Sequence, residues 1–427
     1  MSSNRIIYFN FDNFIALVFA LVPFTQLYKI PGVGTNVAFT SVLIFGALYI
    51  IYSFSSKRSI GSMDSSCAIT LPVWLLMFVY CVLHLMFFPP KEIFNKLSGS
   101  YTSIASQFIF LLVCIIVFTN KEARKHYVKY IEIIAMAMTF VVAFQQLFYF
   151  FTGSSITTDR AFLLPFKDYF IDSVKYSVNG SLMVINGLFR PSAFFLEPAH
   201  YSQFCLIGLA TALANSTKLF DKKAIIISIG IVLTTSGVGV VSTIVMWALR
   251  FTVDGKKFSD KTLARIAVGS LLLIVVFLGL IALSDSFKMA IMRLFVSSGG
   301  HRSAFEGRLG SRSFLNELDP LELLIGMGYK NIPTYGPNNV AYYMTGIIEL
   351  IYCQGLFGTF IFLTMYVYMM LKSFKNKALV PLYALIVYIP YLLGSANLVI
   401  LSLAQYIPLL YLERNDRSQN MLFKFYI

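Results

Sequence analysis

Apolar residues gather into twelve long runs, with approximate ends 13–29, 36–53, 68–88, 103–119, 128–151, 198–215, 223–236, 238–250, 266–284, 341–371, 378–395 and 397–412. A helix crossing a bilayer needs about 20 mostly apolar residues, and most of these runs meet that length. The pattern predicts an all-α polytopic membrane protein of about twelve transmembrane helices, a single integral membrane domain over 1–427. No internal repeat and no soluble domain stands out.

Composition agrees. The chain is 57% hydrophobic and 16% aromatic, but only 13% charged, where a soluble protein carries about 25% charged residues. Mean hydropathy is +0.73. These values exclude a soluble enzyme, a secreted domain and a disordered chain. The net charge of +14 is dispersed, without the basic, aromatic-interleaved stretch of a nucleic-acid site. Cys67, Cys81, Cys114, Cys205 and Cys353 all lie in or beside apolar runs, so no disulfide framework or CxxC metal pattern appears. Met1 to Asn10 is polar and gives no sign of a cleavable signal peptide.

Twelve crossings put both termini on one side. With the termini in the cytoplasm, the inside segments hold 21 of the 34 Lys and Arg. Of the 13 outside, only Lys29, Lys91 and Lys96 lie in short loops. That is the bias of the positive-inside rule, which acts through short loops. The seventh and eighth runs are too short as a pair: 26 residues separate Lys223 from Arg250. Either those cations snorkel, or the Thr234-Thr235-Ser236-Gly237-Val238-Gly239 apex stays within the membrane, where irregular backbone must be covered by protein or line a cavity.

Two outer loops, 152–197 and 285–340, are far longer than the other connections and hold all six outer arginines: Arg160, Arg190, Arg293, Arg302, Arg308 and Arg312. Long loops in compact proteins are usually functional. The first ends Arg190-Pro-Ser-Ala-Phe-Phe-Leu-Glu-Pro-Ala-His200. Pro198 suits a first helical position and pushes Glu197 out of helical geometry. The sixth membrane helix is therefore expected to start at Pro198, with Glu197 at its cap and His200 in its first turn. Such a helix end attracts anions, with Arg190 just upstream. The blander alternative is that Glu197 only caps the helix and His200 sits at headgroup level.

The second loop contains Gly299-Gly-His-Arg-Ser-Ala-Phe-Glu-Gly-Arg-Leu-Gly-Ser-Arg312. On a helix Arg308 and Arg312 would stack on one face, and arginine forks fit phosphate oxygens better than lysine does. A solvated loop drawn to anionic lipid headgroups is the alternative. Gly326-Met-Gly-Tyr-Lys-Asn-Ile-Pro-Thr-Tyr335 reads as a turn-rich lid, in which Tyr329 and Tyr335 stack on sugars or simply pack. Glu132 and Glu349 are acids within predicted spans, which are costly and so functional candidates by default, with a structural role as the alternative; Glu349 precedes Gly355 and Gly358, small residues that permit close helix packing, and His84 is a span residue too. The chain has no Walker P-loop, GxGxxG, HExxH or DxD-type metal pair, so nothing calls for ATP, a nicotinamide or a metal.

The 190–200 segment, Thr234–Gly239, His301-Arg302 and the Gly326-Met-Gly-Tyr stretch resemble the O-antigen and capsular polysaccharide polymerases of the Wzy type. One pattern of that family, an arginine followed after ten residues by a glycine in each loop, is absent: Tyr201 and Ser313 stand at those positions. The resemblance implies a bacterial inner-membrane, metal-independent glycosyltransferase without cofactors, its two long loops and active site facing the periplasm. It implies transfer of a growing glycan from undecaprenyl diphosphate to the next lipid-linked repeat unit. Expected partners are that lipid-linked oligosaccharide, membrane lipid and a chain-length regulator in the membrane. Arg190, Arg302, Arg308, Arg312 and Tyr335 would hold diphosphate and sugar, and Glu197, His200 or His301 would be the general base. An O-antigen ligase, transferring to lipid A–core, and a non-enzymatic flippase are the competing readings.

Overall fold

The computed structural model describes residues 10–26, 28–30, 36–55, 65–88, 101–154, 156, 184–185, 188–195, 197–216, 218, 220–254, 311–329, 331, 344–375 and 378–394. Most of these residues are helical, joined by turns, one isolated bridge between Lys29 and Asn36 and one small ribbon. Helix α1 spans Phe11–Ala20 and α2 spans Val22–Thr25. The sequence predicts one helix over 13–29, but Pro23 in the first turn of α2 has no N–H to continue the ladder. The chain breaks at Leu21. Helix α3 covers Val37–Ser55, α4 Ser65–Phe87 and α5 Tyr101–Phe118.

Helix α6 runs from Lys121 to Thr152, 32 residues, and begins seven residues before the apolar run at 128. Asn120 caps its N-terminus by accepting the Glu122 N–H at 2.8 Å. Gly153, with φ 66°, ends it in the left-handed conformation that suits glycine. A two-residue ribbon follows, β1 (Val184–Ile185) antiparallel to β2 (Leu188–Phe189). Then come α7 (Pro198–Asn215), α8 (Lys222–Leu233) and α9 (Gly237–Asp254). The remaining elements are a 3-10 helix at Ser311–Glu317, α10 (Pro320–Ile325), α11 (Gly346–Lys375) and α12 (Leu379–Gly394). Helix α11 is not continuous as the 341–371 run predicts. It breaks at Gly355, whose φ of 67° and ψ of −179° are not helical.

Helix α7 is the hub. It packs against α6, α8, α9 and α12, and every residue from Tyr201 to Leu213 is buried. A helix buried on all sides belongs to the centre of a bundle. Small residues let its neighbours close in: a Cβ on Gly208 would lie 2.8 Å from that of Ala135 on α6. A second, smaller cluster joins Phe314, Met327 and Met344 to Ile348, Tyr352 and Cys353.

The outside of the bundle is apolar. Ile51, Phe140 and Phe360 are each more than 60% exposed (63%, 65% and 69%), and soluble monomers rarely expose broad apolar surface. Among the described residues three helices are long and apolar enough to cross a membrane: α3, α6 and α11. The 266–284 and 397–412 runs lie outside the described residues, as does most of both long loops.

Candidate functional site

The segment leading to α7 is held from two directions. Phe189 of β2 stacks on Tyr149 near the end of α6, with ring centroids 5.0 Å apart. Four residues on, Gln145 takes the Ala193 N–H at 2.9 Å, and its Nε2 donates to the carbonyls of Ala193 (3.3 Å) and Ile156 (3.1 Å). Ser192 closes a turn, its Oγ donating to the Phe195 carbonyl at 2.7 Å. Phe195 then packs among Phe24, Tyr201 and Phe204.

Helix α7 starts at Pro198, as the proline chemistry predicts. Glu197 occupies the cap position with extended φ/ψ of −139° and 150°, yet its side chain makes no capping hydrogen bond. The carboxylate is exposed and acts electrostatically on His200, half-buried in the first turn. So Glu197 does not spend its side chain on the helix end.

The α8–α9 hairpin comes to this same end. Helix α8 has only 12 residues, about 18 Å at 1.5 Å per residue, against a hydrocarbon core of about 30 Å. Its apex is covered by protein: Thr234 is 0% and Ser236 2% exposed. Thr234 Oγ1 lies 3.4 Å from Ser202 Oγ, which itself donates to the Pro198 carbonyl at 2.8 Å. Two glycines permit the approach. A Cβ on Gly239 would sit 2.5 Å from Ser202 Oγ, and one on Gly230 would sit 2.4 Å from the Tyr201 hydroxyl. At the far end, Lys223 pairs with the buried Glu132 at 2.7 Å. Arg250, also buried, donates to the carbonyls of Ser216 (2.7 Å) and Lys218 (3.1 Å), beyond the C-terminus of α7, where a cation is favoured.

Two segments distant in sequence, 190–200 and 234–239, therefore meet at the start of the most buried helix. Each contributes one strained residue. Ala193 (φ 51°) and Thr235 (φ 52°) are the two non-glycine residues with positive φ among those described. Such strain costs about 1–3 kcal/mol each and gathers at functional sites. Here too lie buried polar atoms with no partner among the described residues: Gln203 Nε2, Thr235 Oγ1 and Ser242 Oγ.

Of the residues singled out from sequence, the structure brings Glu197 and His200 together and places half-buried Arg190 at the start of the clamped segment. Arg312 falls in the 3-10 helix. His301, Arg302, Arg308 and Tyr335 lie outside the described residues. Tyr329 is half-buried near Cys81, Cys353 and Glu349, and burial pushes its hydroxyl pKa up, which fits packing better than an open lid. Sequence reasoning passed over Gln145, Ser202, Gln203 and Ser242. The Gln145-Gln146 pair, amides within the apolar end of the fifth run, was the available signal. Among the described residues no three His, Cys, Asp or Glu side chains converge on one point. The chain matches no protein-family model, and no curated protein matches it.

Proposed function

We propose that the protein is a bacterial polysaccharide polymerase of the inner membrane, with twelve crossings, cytoplasmic termini and two long periplasmic loops. It transfers a glycan from undecaprenyl diphosphate to the next lipid-linked repeat unit. The observation that carries this reading is the meeting of the 190–200 and 234–239 segments, each with one strained residue, at the start of α7. Both segments are among those that resemble Wzy-type polymerases.

The chemistry follows from the residues. No nucleotide sugar exists outside the inner membrane, so the donor sugar is activated through its lipid diphosphate. An acceptor hydroxyl attacks the anomeric carbon while the bond from that carbon to the phosphate oxygen breaks. The electron pair leaves with the diphosphate. Arg190, with Arg302, Arg308 and Arg312 from the second loop, and the positive end of α7 stabilise that charge as it develops. Glu197, supported by His200, takes the hydroxyl proton; His301 is the competing base. Tyr335 lies against a sugar ring. Arginine does the electrostatic work that a metal would otherwise do.

The test is polymerisation by the purified protein in proteoliposomes supplied with lipid-linked repeat units and lipid A–core. A ladder of longer lipid-linked glycans is expected. Transfer only to lipid A–core would make the protein a ligase. The flippase reading draws on a specific observation as well: α11 is broken at Gly355 beside buried His84, and broken helices with intramembrane ionisable groups are features of transporters. Lipid-linked units crossing the vesicle membrane with no chain growth would establish that reading and overturn ours.

A further inference from the structure

We propose that His84 and Asn331 form a proton-binding site that fastens the 326–331 turn to the break in α11. At the break the helical ladder stops, and the freed carbonyls of Tyr352 and Cys353 accept the N–H groups of Met327 (2.7 Å) and Gly328 (2.9 Å). The approach leaves no room for side chains. A Cβ on Gly326 would lie 2.4 Å from the Gly355 nitrogen, and one on Gly355 would lie 2.3 Å from the Leu324 carbonyl oxygen. From α4, the Tyr80 hydroxyl reaches the carbonyls of Ile325 and Gln354. Three elements are thus locked at one point.

His84 completes the lock. Its Nε2 lies 2.7 Å from the Gly326 carbonyl oxygen. A carbonyl only accepts, so Nε2 carries the hydrogen, and in the neutral ring Nδ1 is a bare acceptor. Nδ1 is buried and has no partner among the described residues. Asn331 is in the same position: its Nδ2 donates to the Met327 carbonyl at 2.7 Å, and its Oδ1 is buried and unpartnered. His84 is 5% exposed and Asn331 3%. Both border Gly328, where a Cβ would sit 3.1 Å from His84 Nδ1 and 3.9 Å from Asn331 Cβ.

Two bare acceptors beside one glycine cannot satisfy each other. One proton from solvent on Nδ1 changes that: the new N–H becomes a donor for Asn331 Oδ1, drawing together two side chains that do not yet meet, while Nε2–H keeps Gly326. Leaving buried polar groups unmade is costly, and a hydrogen bond from a charged donor is worth more than a neutral one. Proton uptake therefore closes the clasp. The titratable groups packed here are Tyr80, whose ring meets that of His84, and Cys81 on α4; Tyr329 on the turn, which faces Cys81, Cys353 and Glu349; and Tyr352 on α11, which faces Cys353, Glu317 and Glu322. Among these only a carboxylate could also respond in mildly acidic solution. An ionisable side chain in a membrane span marks ion or substrate pathways by default. Here the ion is a proton, and what it controls is the seat of the turn.

The experiment is amide hydrogen exchange of the full-length protein in nanodiscs, from about pH 8 to about pH 5, the range over which imidazole titrates, with rates corrected for intrinsic exchange. Protection at Met327 and Gly328 should rise roughly tenfold or more on acidification, the factor carried by one charge-assisted hydrogen bond. His84→Gln keeps a donor for Gly326 but cannot titrate, so its protection should not vary with pH; Glu349→Gln should respond like the wild type. A flat wild-type profile, or an equal response in His84→Gln, overturns the proposal. Should His84→Gln fail to fold, nitrogen NMR of labelled histidines in the wild type decides. A His84 ring that stays neutral across the range also overturns it.

Discussion

Gln145 grips the backbone of Ala193 with both ends of its amide, its oxygen taking the Ala193 N–H at 2.9 Å and its Nε2 donating to the Ala193 carbonyl at 3.3 Å. Gln145 is 1% exposed and Ala193 0%. A side chain on α6 thereby fixes a left-handed alanine five residues before the start of α7.

Gln145→Leu should therefore be costly. It removes the two hydrogen bonds of the amide to Ala193 and the one to the Ile156 carbonyl, at about 0.5–1.5 kcal/mol each, and thermal unfolding in detergent should show a clear fall in Tm. Ala193→Gly should act oppositely. Left-handed backbone costs a non-glycine residue roughly 1–2 kcal/mol, and glycine removes that strain at a smaller entropic expense in the unfolded chain. Its Tm should match or exceed the wild type, while Ala193→Val should fall below it. An unchanged Tm for Gln145→Leu would show that the clamp does not hold the segment.

Local chemistry was readable and tertiary partners were not. Pro198 announced the start of α7, since proline fits a first helical position whatever surrounds it. The short 224–249 stretch announced a hairpin with too little chain to cross twice. Glu132 was legible as an expensive acid, but Lys223, its partner, stands 91 positions away. Gly355 looked like a packing residue in an apolar run; its role as a break depends on carbonyls that the 326–328 turn happens to satisfy. Pro23 interrupts the first apolar run because it lacks the N–H that the helical ladder needs, a local signal that the hydrophobicity of 13–29 masks.

The Glu132–Lys223 pair yields a double-mutant test. Glu132 is buried, with its side chain 8% exposed, whereas that of Lys223 is 53% exposed. Lys223→Met strips the carboxylate of its cation and should lower stability by about 1–3 kcal/mol, toward the low end because solvent reaches the lysine. Glu132→Leu combined with Lys223→Met removes both charges and should recover most of that loss, as apolar replacement of ion pairs often does. Additive losses in the double variant would mean the two residues act independently.

Contact between the hairpin apex and α7 predicts a suppressor. Gly239→Ala puts a Cβ 2.5 Å from Ser202 Oγ and 2.6 Å from Ser202 Cβ, so the hairpin must move. Overpacking of this kind costs about 1–3 kcal/mol, and polymerising activity should drop with Tm. Because the clash includes Cβ, Ser202→Ala relieves only part of it. Ser202→Gly should restore Gly239→Ala more fully, although glycine within a helix costs about 1 kcal/mol of its own. Equal behaviour of the two suppressors would place the strain elsewhere.

The last prediction separates structural from chemical roles at Glu197. Its side chain makes no capping bond and is exposed, so Glu197→Gln should leave Tm nearly unchanged, within the roughly 0.5 kcal/mol typical of surface substitutions. On the proposed function the carboxylate is the general base, a role worth about 10²–10⁴-fold in rate, and the amide cannot accept the acceptor's proton. A stable, membrane-inserted protein with turnover down by that factor is the expected result, read from polymerisation of purified lipid-linked repeat units at matched expression. His200→Ala should lose less, since the imidazole acts through Glu197 from the same helical turn. His301→Ala, with the base at the start of α7, should cost less or act on acceptor affinity. If Glu197→Gln and His200→Ala both keep near-normal rates while His301→Ala is inactive, the base belongs to the second loop, and the start of α7 binds the diphosphate without accepting the proton.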